Sequence, residues 1–140
     1  MKPIPSVGVV IIKNEKVLLV REEEGSSHLT GMYGIPAGRL EEREDASHAA
    51  ARELQEETGL VCLPEDLVKL PSTYTATIER KDGTFKTFEK TAFVCRKYAG
   101  EIRPGEDTTP EWVEIEKMGG YRLLPNIEKM VQDALRIIQK

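Results

Sequence analysis

Residues 38–60 read GRLEEREDASHAAARELQEETGL, and this stretch decides the fold around which the rest of the chain is arranged. Asp45 is of a residue type that often precedes a helix. Residues 46–58 are mostly Ala, Glu, Leu and Gln, which favour helix formation, and Gly59 stands where a glycine commonly ends a helix. The sequence therefore predicts a helix over residues 46–58, with small alanines that allow close packing on a sheet.

Three carboxylates of this helix fall on one face. Glu53, Glu56 and Glu57 are spaced i, i+3 and i+4, which places their Cβ atoms roughly 5–6 Å apart. Like charges at this spacing destabilise a helix unless a positive charge lies nearby. Arg52, four residues before Glu56, can offset one charge, and a divalent cation such as Mg²⁺ or Mn²⁺ suits the remaining oxygen ligands. From the spacing alone, a solvated acidic face is the alternative.

The whole stretch resembles the Nudix box, G-x5-E-x7-R-E-U-x-E-E-x-G-U, in which U is a bulky aliphatic residue. Every fixed position is matched, by Gly38, Glu44, Arg52, Glu53, Leu54, Glu56, Glu57, Gly59 and Leu60. The resemblance to this family, and to its MutT-like members, extends over most of the chain. It implies one domain over residues 1–140 with the α/β Nudix fold, an α/β/α sandwich with a mixed central β-sheet and a catalytic loop-helix-loop.

The resemblance also implies a metal site. Glu56 and Glu57 resemble direct ligands of Mg²⁺, with Mn²⁺ as a substitute, and the Gly38 carbonyl resembles a backbone ligand. Glu53 resembles a further ligand or the base that activates water. The implied reaction is hydrolysis of a phosphoanhydride, because the metal neutralises phosphate oxygens and makes a water molecule acidic enough to attack.

Two further positions of the box have implied supporting roles. Arg52 is expected to hold the glutamates in place, and Glu44 to orient Arg52 or to assist catalysis. The chain departs from many family members at Arg43, where they have glycine, and at Ala37, where they have the first of two glycines. Arg43 is expected to alter the loop without removing a ligand, since glycine there is a backbone preference.

Residues outside the box are candidates for contact with the substrate. Arg39 and Arg21 can reach a phosphate, and Tyr33 can stack on a base. Asn126 either contacts the base or caps the last helix, and His28 contacts substrate or faces solvent. A further carboxylate is expected from the later loop and strand region. The candidates are Glu101, Glu106, Asp107 and Glu111.

The implied substrate is a small nucleoside-diphosphate-linked compound. The short chain and the Tyr-Gly-Ile-Pro segment at 33–36, which is similar to the MutT-like Trp-Gly-Leu-Pro, favour an NTP or dNTP. ADP-ribose or a nucleotide sugar is the alternative, favoured by Pro-Ala-Gly at 36–38 and opposed by Ala76, where ADP-ribose enzymes often have proline. A non-catalytic nucleotide-sensing module is a third possibility, opposed by the complete set of box glutamates.

The flanking segments predict a sheet and a second helix. An amphipathic pattern with apolar residues at helical spacing predicts a helix over residues 127–138, opened by Pro125 and Asn126. Residues 7–12 and 16–21 predict a hairpin around Asn14 and Glu15. Further strands are expected at 33–38, 74–78, 84–94 and 112–115.

Composition limits the partners and the compartment. A net charge of −4 gives no electrostatic reason to bind nucleic acid polymers. No apolar run approaches the roughly 20 residues of a membrane span, and residues 1–5 lack an apolar signal core. The expectation is a cytoplasmic protein with Cys62 and Cys95 as reduced thiols. The strand runs are compatible with a homodimer.

Overall fold

The computed structural model describes residues 2–139 of the chain. Ten main elements follow one another along it, with short 3₁₀ helices at Pro64–Asp66 and Ile115–Gly120. The main elements are β1 (Ile4–Val10), β2 (Ile12–Lys13), β3 (Lys16–Glu22), β4 (Tyr33–Gly34), β5 (Ala37–Arg39), α1 (Ala46–Thr58), β6 (Leu67–Glu79), β7 (Phe85–Cys95), β8 (Thr108–Glu114) and α2 (Ile127–Ile138).

The strands form two sheets. The first has the order β5-β1-β7-β6, in which β1 and β7 run parallel and the other neighbours run antiparallel. In the second, β3 pairs with β2, β4 and β8, all antiparallel. The expected mixed central sheet is therefore confirmed, and a smaller antiparallel sheet accompanies it.

The two helices cover opposite faces of the first sheet. Side chains alternate along β7: Phe93 and Cys95 join one buried apolar cluster, and Ala92 and Val94 join the other. The first cluster contains Ala49, Ala50 and Leu54 of α1, and the second contains Ile127, Met130, Val131 and Ala134 of α2. This alternation gives the predicted α/β/α sandwich.

The helix α1 has the predicted bounds. Gly59 ends it in the left-handed conformation, with φ of 84°, and the Gly59 amide donates a hydrogen bond to the Gln55 carbonyl at 2.9 Å. Asp45 occupies the N-cap position, but its carboxylate makes no capping bond to the backbone. It instead accepts hydrogen bonds from Ser47 and pairs with His48 at 3.1 Å.

The predicted hairpin of residues 7–12 with 16–21 is wrong in its pairing. The strand β1 pairs with β5 and β7, and only the two residues of β2 pair with β3 on that side. Asn14 and Glu15 do form the turn, both with positive φ, so the hairpin exists but is short. The chain crosses from the first sheet to the second at Ile11.

The strand predicted over residues 33–38 is also wrong, because the segment divides between the two sheets as β4 and β5. Pro36 lies at the break, where it has no N–H to donate, while its carbonyl accepts the Val9 amide at 3.0 Å. Two other strands start earlier than predicted, β6 at Leu67 and β8 at Thr108. Ile115 belongs to the 3₁₀ helix that follows β8.

The two cysteines agree with the expectation of reduced thiols. Cys62 and Cys95 are both free and buried. Over residues 2–139, no helix combines the length and apolar character that crossing a membrane would take.

Candidate active site

A cavity of about 290 Å³ lies on the face of the first sheet that α2 covers. Its floor includes side chains from adjacent strands, because residues paired across a sheet project from the same face. Its lining divides by chemistry into three groups. The acidic group is Glu22, Glu57 and Asp107; the basic group is His28, Arg39, Arg80 and Lys90; the apolar group includes Ile35, Tyr74, Ala76, Ile78, Phe88, Leu124 and Met130.

Arg52 organises the carboxylates next to the cavity. Its Nε and Nη2 donate to the two oxygens of Glu44 at 2.8 and 2.9 Å, and its Nη1 donates to Glu53 at 2.8 Å. The same Nη1 reaches Glu56 at 3.3 Å, at the predicted i, i+4 spacing. The hydrogen bonds from Arg52 lower the pKa of Glu44 to about 2. One guanidinium therefore holds three carboxylates of the box.

Glu57 differs from these three because it faces the cavity and is bound to the backbone. The Ala37 amide donates a hydrogen bond to its Oε1 at 2.7 Å, which ties the end of α1 to β5. Burial raises the pKa of Glu57 to about 8, and the charges of Glu22 and Glu53 add to the rise. A cation beside this carboxylate would offset both effects.

Gly38, the first residue of the box, lies close to a side chain of α1. A Cβ atom at Gly38 would overlap the carboxylate of Glu53. A side chain at position 38 would therefore displace the Glu53 carboxylate from its place beside β5. The backbone of Gly38 and the Glu53 carboxylate consequently lie side by side.

The donor set fits Mg²⁺ or Mn²⁺. Over residues 2–139, no three His, Cys, Asp or Glu side chains converge closely enough to form a complete metal site on their own. Mg²⁺ does not require this, since it is usually held by one or two carboxylates and completes its coordination with water and substrate phosphate. The half-buried Glu57 carboxylate supplies an oxygen donor of that kind, and the Glu53 carboxylate lies beside the Gly38 backbone.

The structure brings three of the five candidate substrate contacts, His28, Arg39 and Asn126, to the cavity. Arg39 and Asn126 line it, and the Asn126 side chain donates to the Thr75 carbonyl at 3.2 Å. Asn126 also precedes α2, but its side chain makes no capping bond.

The other two predicted contacts lie elsewhere, because the residues pair with each other on the second sheet. The Arg21 side chain is exposed and forms an ion pair with Glu23 at 2.9 Å. The Tyr33 hydroxyl donates to Glu111 at 3.3 Å, and its ring meets Tyr121 edge-on at 4.9 Å between centroids. The structure brings neither residue into the lining of the cavity.

Among the four carboxylates outside the box, Asp107 lines the cavity. Glu111 is hydrogen-bonded to Tyr33 and Tyr121, and Glu101 and Glu106 are exposed. A Cβ atom at Gly25 would overlap the Asp107 carboxylate, so the loop after β3 packs tightly against this residue.

Several lining residues were missed by the sequence analysis. Glu22 is only 6% exposed and accepts a hydrogen bond from Ser26 at 2.7 Å. Ser6, Arg80 and Lys90 also line the cavity. The available sequence signal was polarity inside apolar strands, as in Lys90 just before the run TAFVC.

The fold and the box together define the class of protein. The family model of the NUDIX domain matches residues 2–139, so the chain belongs to the Nudix hydrolase family. It is 30% identical to Nudix hydrolase 6 of Arabidopsis thaliana over 115 residues, which cover 79% of this chain and 39% of the plant protein. Against the ADP-ribose pyrophosphatase of Methanocaldococcus jannaschii it is 25% identical over 137 residues, covering 97% of this chain and 75% of that enzyme.

A solved structure agrees over the whole length. The MutT protein from Methanosarcina mazei superposes with a TM-score of 0.74 at 25% identity, covering 99% of this chain and 98% of that one. The MutT-like membership expected from the sequence is thereby confirmed. The chain nevertheless spans well under half of the first curated relatives it matches, 39% for Nudix hydrolase 6 and 31% for Nudix hydrolase 25 of Arabidopsis thaliana.

Proposed function

We propose that this chain is a Mg²⁺-dependent pyrophosphohydrolase that cleaves a phosphoanhydride bond of an NTP or dNTP. The proposal rests on the three kinds of side chain that line one cavity. Carboxylates that suit a cation, basic side chains that suit phosphates, and apolar side chains that suit a base line the same space.

The residues of the box have distinct tasks in this proposal. Glu57 and Glu56 would hold Mg²⁺ together with the Gly38 carbonyl. When bound, the cation would neutralise phosphate oxygens and make a water molecule more acidic. Glu53, held at 2.8 Å by Arg52, would accept the proton of the attacking water. Glu44 fixes Arg52 and thereby the position of that carboxylate.

The nucleoside would occupy the apolar group. The volume of the whole cavity, about 290 Å³, suits one nucleoside better than two. Ala76 and Phe88, which pair across β6 and β7, supply part of the floor. Asn126 supplies an amide at the rim for hydrogen bonds to the base.

The second candidate is ADP-ribose or another nucleotide sugar. The relative named ADP-ribose pyrophosphatase aligns with 97% of this chain, and the Pro-Ala-Gly segment at 36–38 favours the same substrate. Ala76 lines the cavity without the proline found at that place in many ADP-ribose enzymes, which favours the NTP. A non-catalytic nucleotide-binding module is the candidate of a different class.

The test is a hydrolysis panel with Mg²⁺ or with EDTA. The compounds are NTPs, dNTPs, ADP-ribose, nucleotide sugars and dinucleoside polyphosphates. Cleavage of an NTP to a monophosphate and pyrophosphate becomes visible when inorganic pyrophosphatase is added. Cleavage of ADP-ribose to AMP and ribose phosphate becomes visible when alkaline phosphatase is added. The matched variants are Glu57→Gln at the site and Glu65→Gln at an exposed position.

Each outcome selects one candidate. Mg²⁺-dependent pyrophosphate release that disappears in Glu57→Gln but persists in Glu65→Gln supports the proposal. Phosphatase-dependent release from ADP-ribose alone would support the second candidate. Nucleotide binding without any turnover, by folded protein, would support the non-catalytic module.

A further inference from the structure

Three polar side chains form a row across the sheet at the floor of the cavity. In the strand register, Ser6 of β1 pairs with Arg39 of β5 on one side and with Lys90 of β7 on the other. All three line the cavity, as does Tyr74, which pairs with Lys90 from β6. The row runs from β5, which contains the first residues of the box, to β7, whose Phe88 belongs to the apolar group.

Ser6, in the middle of this row, has a buried hydroxyl group. Ser6 is 6% exposed, and its Oγ has no hydrogen-bond partner among residues 2–139. Two neighbouring lining groups, His28 Nδ1 and Arg80 Nη1, are also buried without a partner in that part of the chain. Buried polar atoms are normally hydrogen-bonded, so these three atoms are available to a molecule that enters the cavity.

The charge around the row indicates the sign of that ligand. The guanidinium groups of Arg39 and Arg80 both lie over the Phe88 ring, at 5.8 and 5.4 Å from its centroid. Burial, followed by the positive charges of Arg80, Lys90 and Arg39, lowers the pKa of His28 to about 4. Burial and then Arg39 also lower the pKa of Arg80. The cations repel one another, and an anion would relieve that repulsion.

Lys90 connects this basic group to the acidic group. Its stem runs over Gly8, where an added Cβ atom would come within 3.3 Å of the Lys90 Cδ. The charges of Glu57 and Glu22 act on its ammonium group. An anion bound by Lys90 would therefore lie beside the carboxylates that suit Mg²⁺ and next to the apolar group.

We propose that Ser6, Arg39 and Lys90 form a phosphate subsite, separate from the carboxylates, that holds the phosphate nearest the nucleoside without needing a metal ion. The assignment of the bound molecule as a nucleotide rests on the proposed function. In this subsite Lys90 and Arg39 neutralise the phosphate, and the Ser6 hydroxyl donates a hydrogen bond to one of its oxygens. The subsite makes the protein select nucleotides over the corresponding nucleosides.

The experiment measures binding in EDTA by calorimetry with the whole chain. The probes are the nucleoside diphosphates of the common bases, each compared with its nucleoside. The variants are Lys90→Met, which keeps an apolar stem without the charge, and Ser6→Ala, which removes only the hydroxyl. Lys69→Met is the matched control, because Lys69 lies exposed on β6 outside the cavity. Circular dichroism and melting temperature establish that each variant is folded.

The wild-type chain is expected to bind at least one diphosphate about tenfold or more tightly than its nucleoside in EDTA. Lys90→Met should remove about tenfold of that preference, Ser6→Ala a smaller part, and Lys69→Met none. The affinity for the nucleoside should stay unchanged in all three variants.

The inference is overturned if Lys90→Met and Ser6→Ala both bind the diphosphate as wild type does, or if wild type shows no preference for it without metal. Should Lys90→Met not fold, Ser6→Ala alone decides. Failure here is distinct from failure of the proposed function. Wild-type hydrolysis in the Mg²⁺ panel with unaltered binding by the variants would remove only the subsite. Lys90-dependent binding without turnover of any panel compound would remove only the hydrolase proposal.

Discussion

Arg52 holds Glu44 through two parallel hydrogen bonds, Nε to Oε2 at 2.8 Å and Nη2 to Oε1 at 2.9 Å. Glu44 lies in the loop before α1 and Arg52 lies on the helix, so this pair fastens the loop to the helix that carries the carboxylates. A planar guanidinium makes such a paired contact, whereas an ammonium group binds as a single point charge.

We therefore expect Arg52→Lys to fold and to lose about 10–100-fold of its hydrolytic activity, as other changes to groups that orient metal ligands do. The reason is that lysine cannot bind Glu44 through two bonds and still reach Glu53. The measurement is kcat/KM on the preferred substrate of the panel. Arg122→Lys, at an exposed position, is the control and should keep its activity. Equal activity of the two variants would contradict the orienting role of Arg52.

Glu57→Gln is expected to abolish metal-dependent turnover and to leave the fold intact or slightly more stable. Glutamine can still accept the Ala37 amide that Oε1 of Glu57 accepts at 2.7 Å, but it brings no charge into the cavity. Mg²⁺ should raise the melting temperature of wild type, because it binds the native state preferentially, and should not do so for this variant. A folded Glu57→Gln protein with near-normal turnover would argue against the metal role of Glu57.

His28 gives the protein a pH dependence with a defined sign. Its pKa is lowered to about 4, chiefly by burial, from an ordinary value of 6.5. Between these two values the unfolded chain takes up a proton that the native protein does not. The contribution of His28 to the free energy of unfolding should therefore be lost as the pH falls from about 6.5 towards 4.

The measurement for this prediction is the melting temperature from pH 7 to pH 4 for wild type and His28→Gln. The variant should lose less stability than wild type over that range. His48→Gln serves as the control, because His48 and its partner Asp45 are both exposed. An exposed pair contributes little to stability, so its curve should stay close to that of wild type. A His28→Gln curve parallel to wild type would show that His28 does not cause the dependence.

Arg43→Gly is expected to stabilise the protein without a change in activity. Arg43 adopts a positive φ of 65°, which costs a residue with a side chain about 1–2 kcal/mol. Part of that gain is offset because glycine loses more entropy on folding. The net increase should be about 0.5–1 kcal/mol, or roughly 1–4 °C in melting temperature for a chain of this size. A lower melting temperature would indicate that the Arg43 side chain makes a stabilising contact.

The pattern of the box was sufficient to predict the bounds of α1 and which of its carboxylates share a face. Spacing of i, i+3 and i+4 fixes which side chains share a helix face, whatever packs around the helix. The Arg52 contact to Glu56, at i, i+4, follows from this local geometry. Many family members have glycine at position 43, and the sequence predicts that this glycine serves the backbone conformation. The positive φ of Arg43 agrees with that prediction.

The rest of the cavity depended on pairing between distant segments. The row Arg39–Ser6–Lys90 exists because β1 lies between β5 and β7 in one particular register. A shift of one residue would send Ser6 to the α1 face. Pairing of β3 with β4 likewise carried Arg21 and Tyr33 away from the cavity. Sequence spacing contains no information on such neighbours.

The sequence by itself determined the family, through the complete box, and the helix α1, whose Glu53, Glu56 and Glu57 lie within about one helical turn of one another. Only the tertiary structure decided that Asp107, among four equivalent carboxylates, reaches the cavity, and that Glu22 and Lys90 meet there. The physical reason is that strand order and register are set by burial of the whole core, to which every strand contributes.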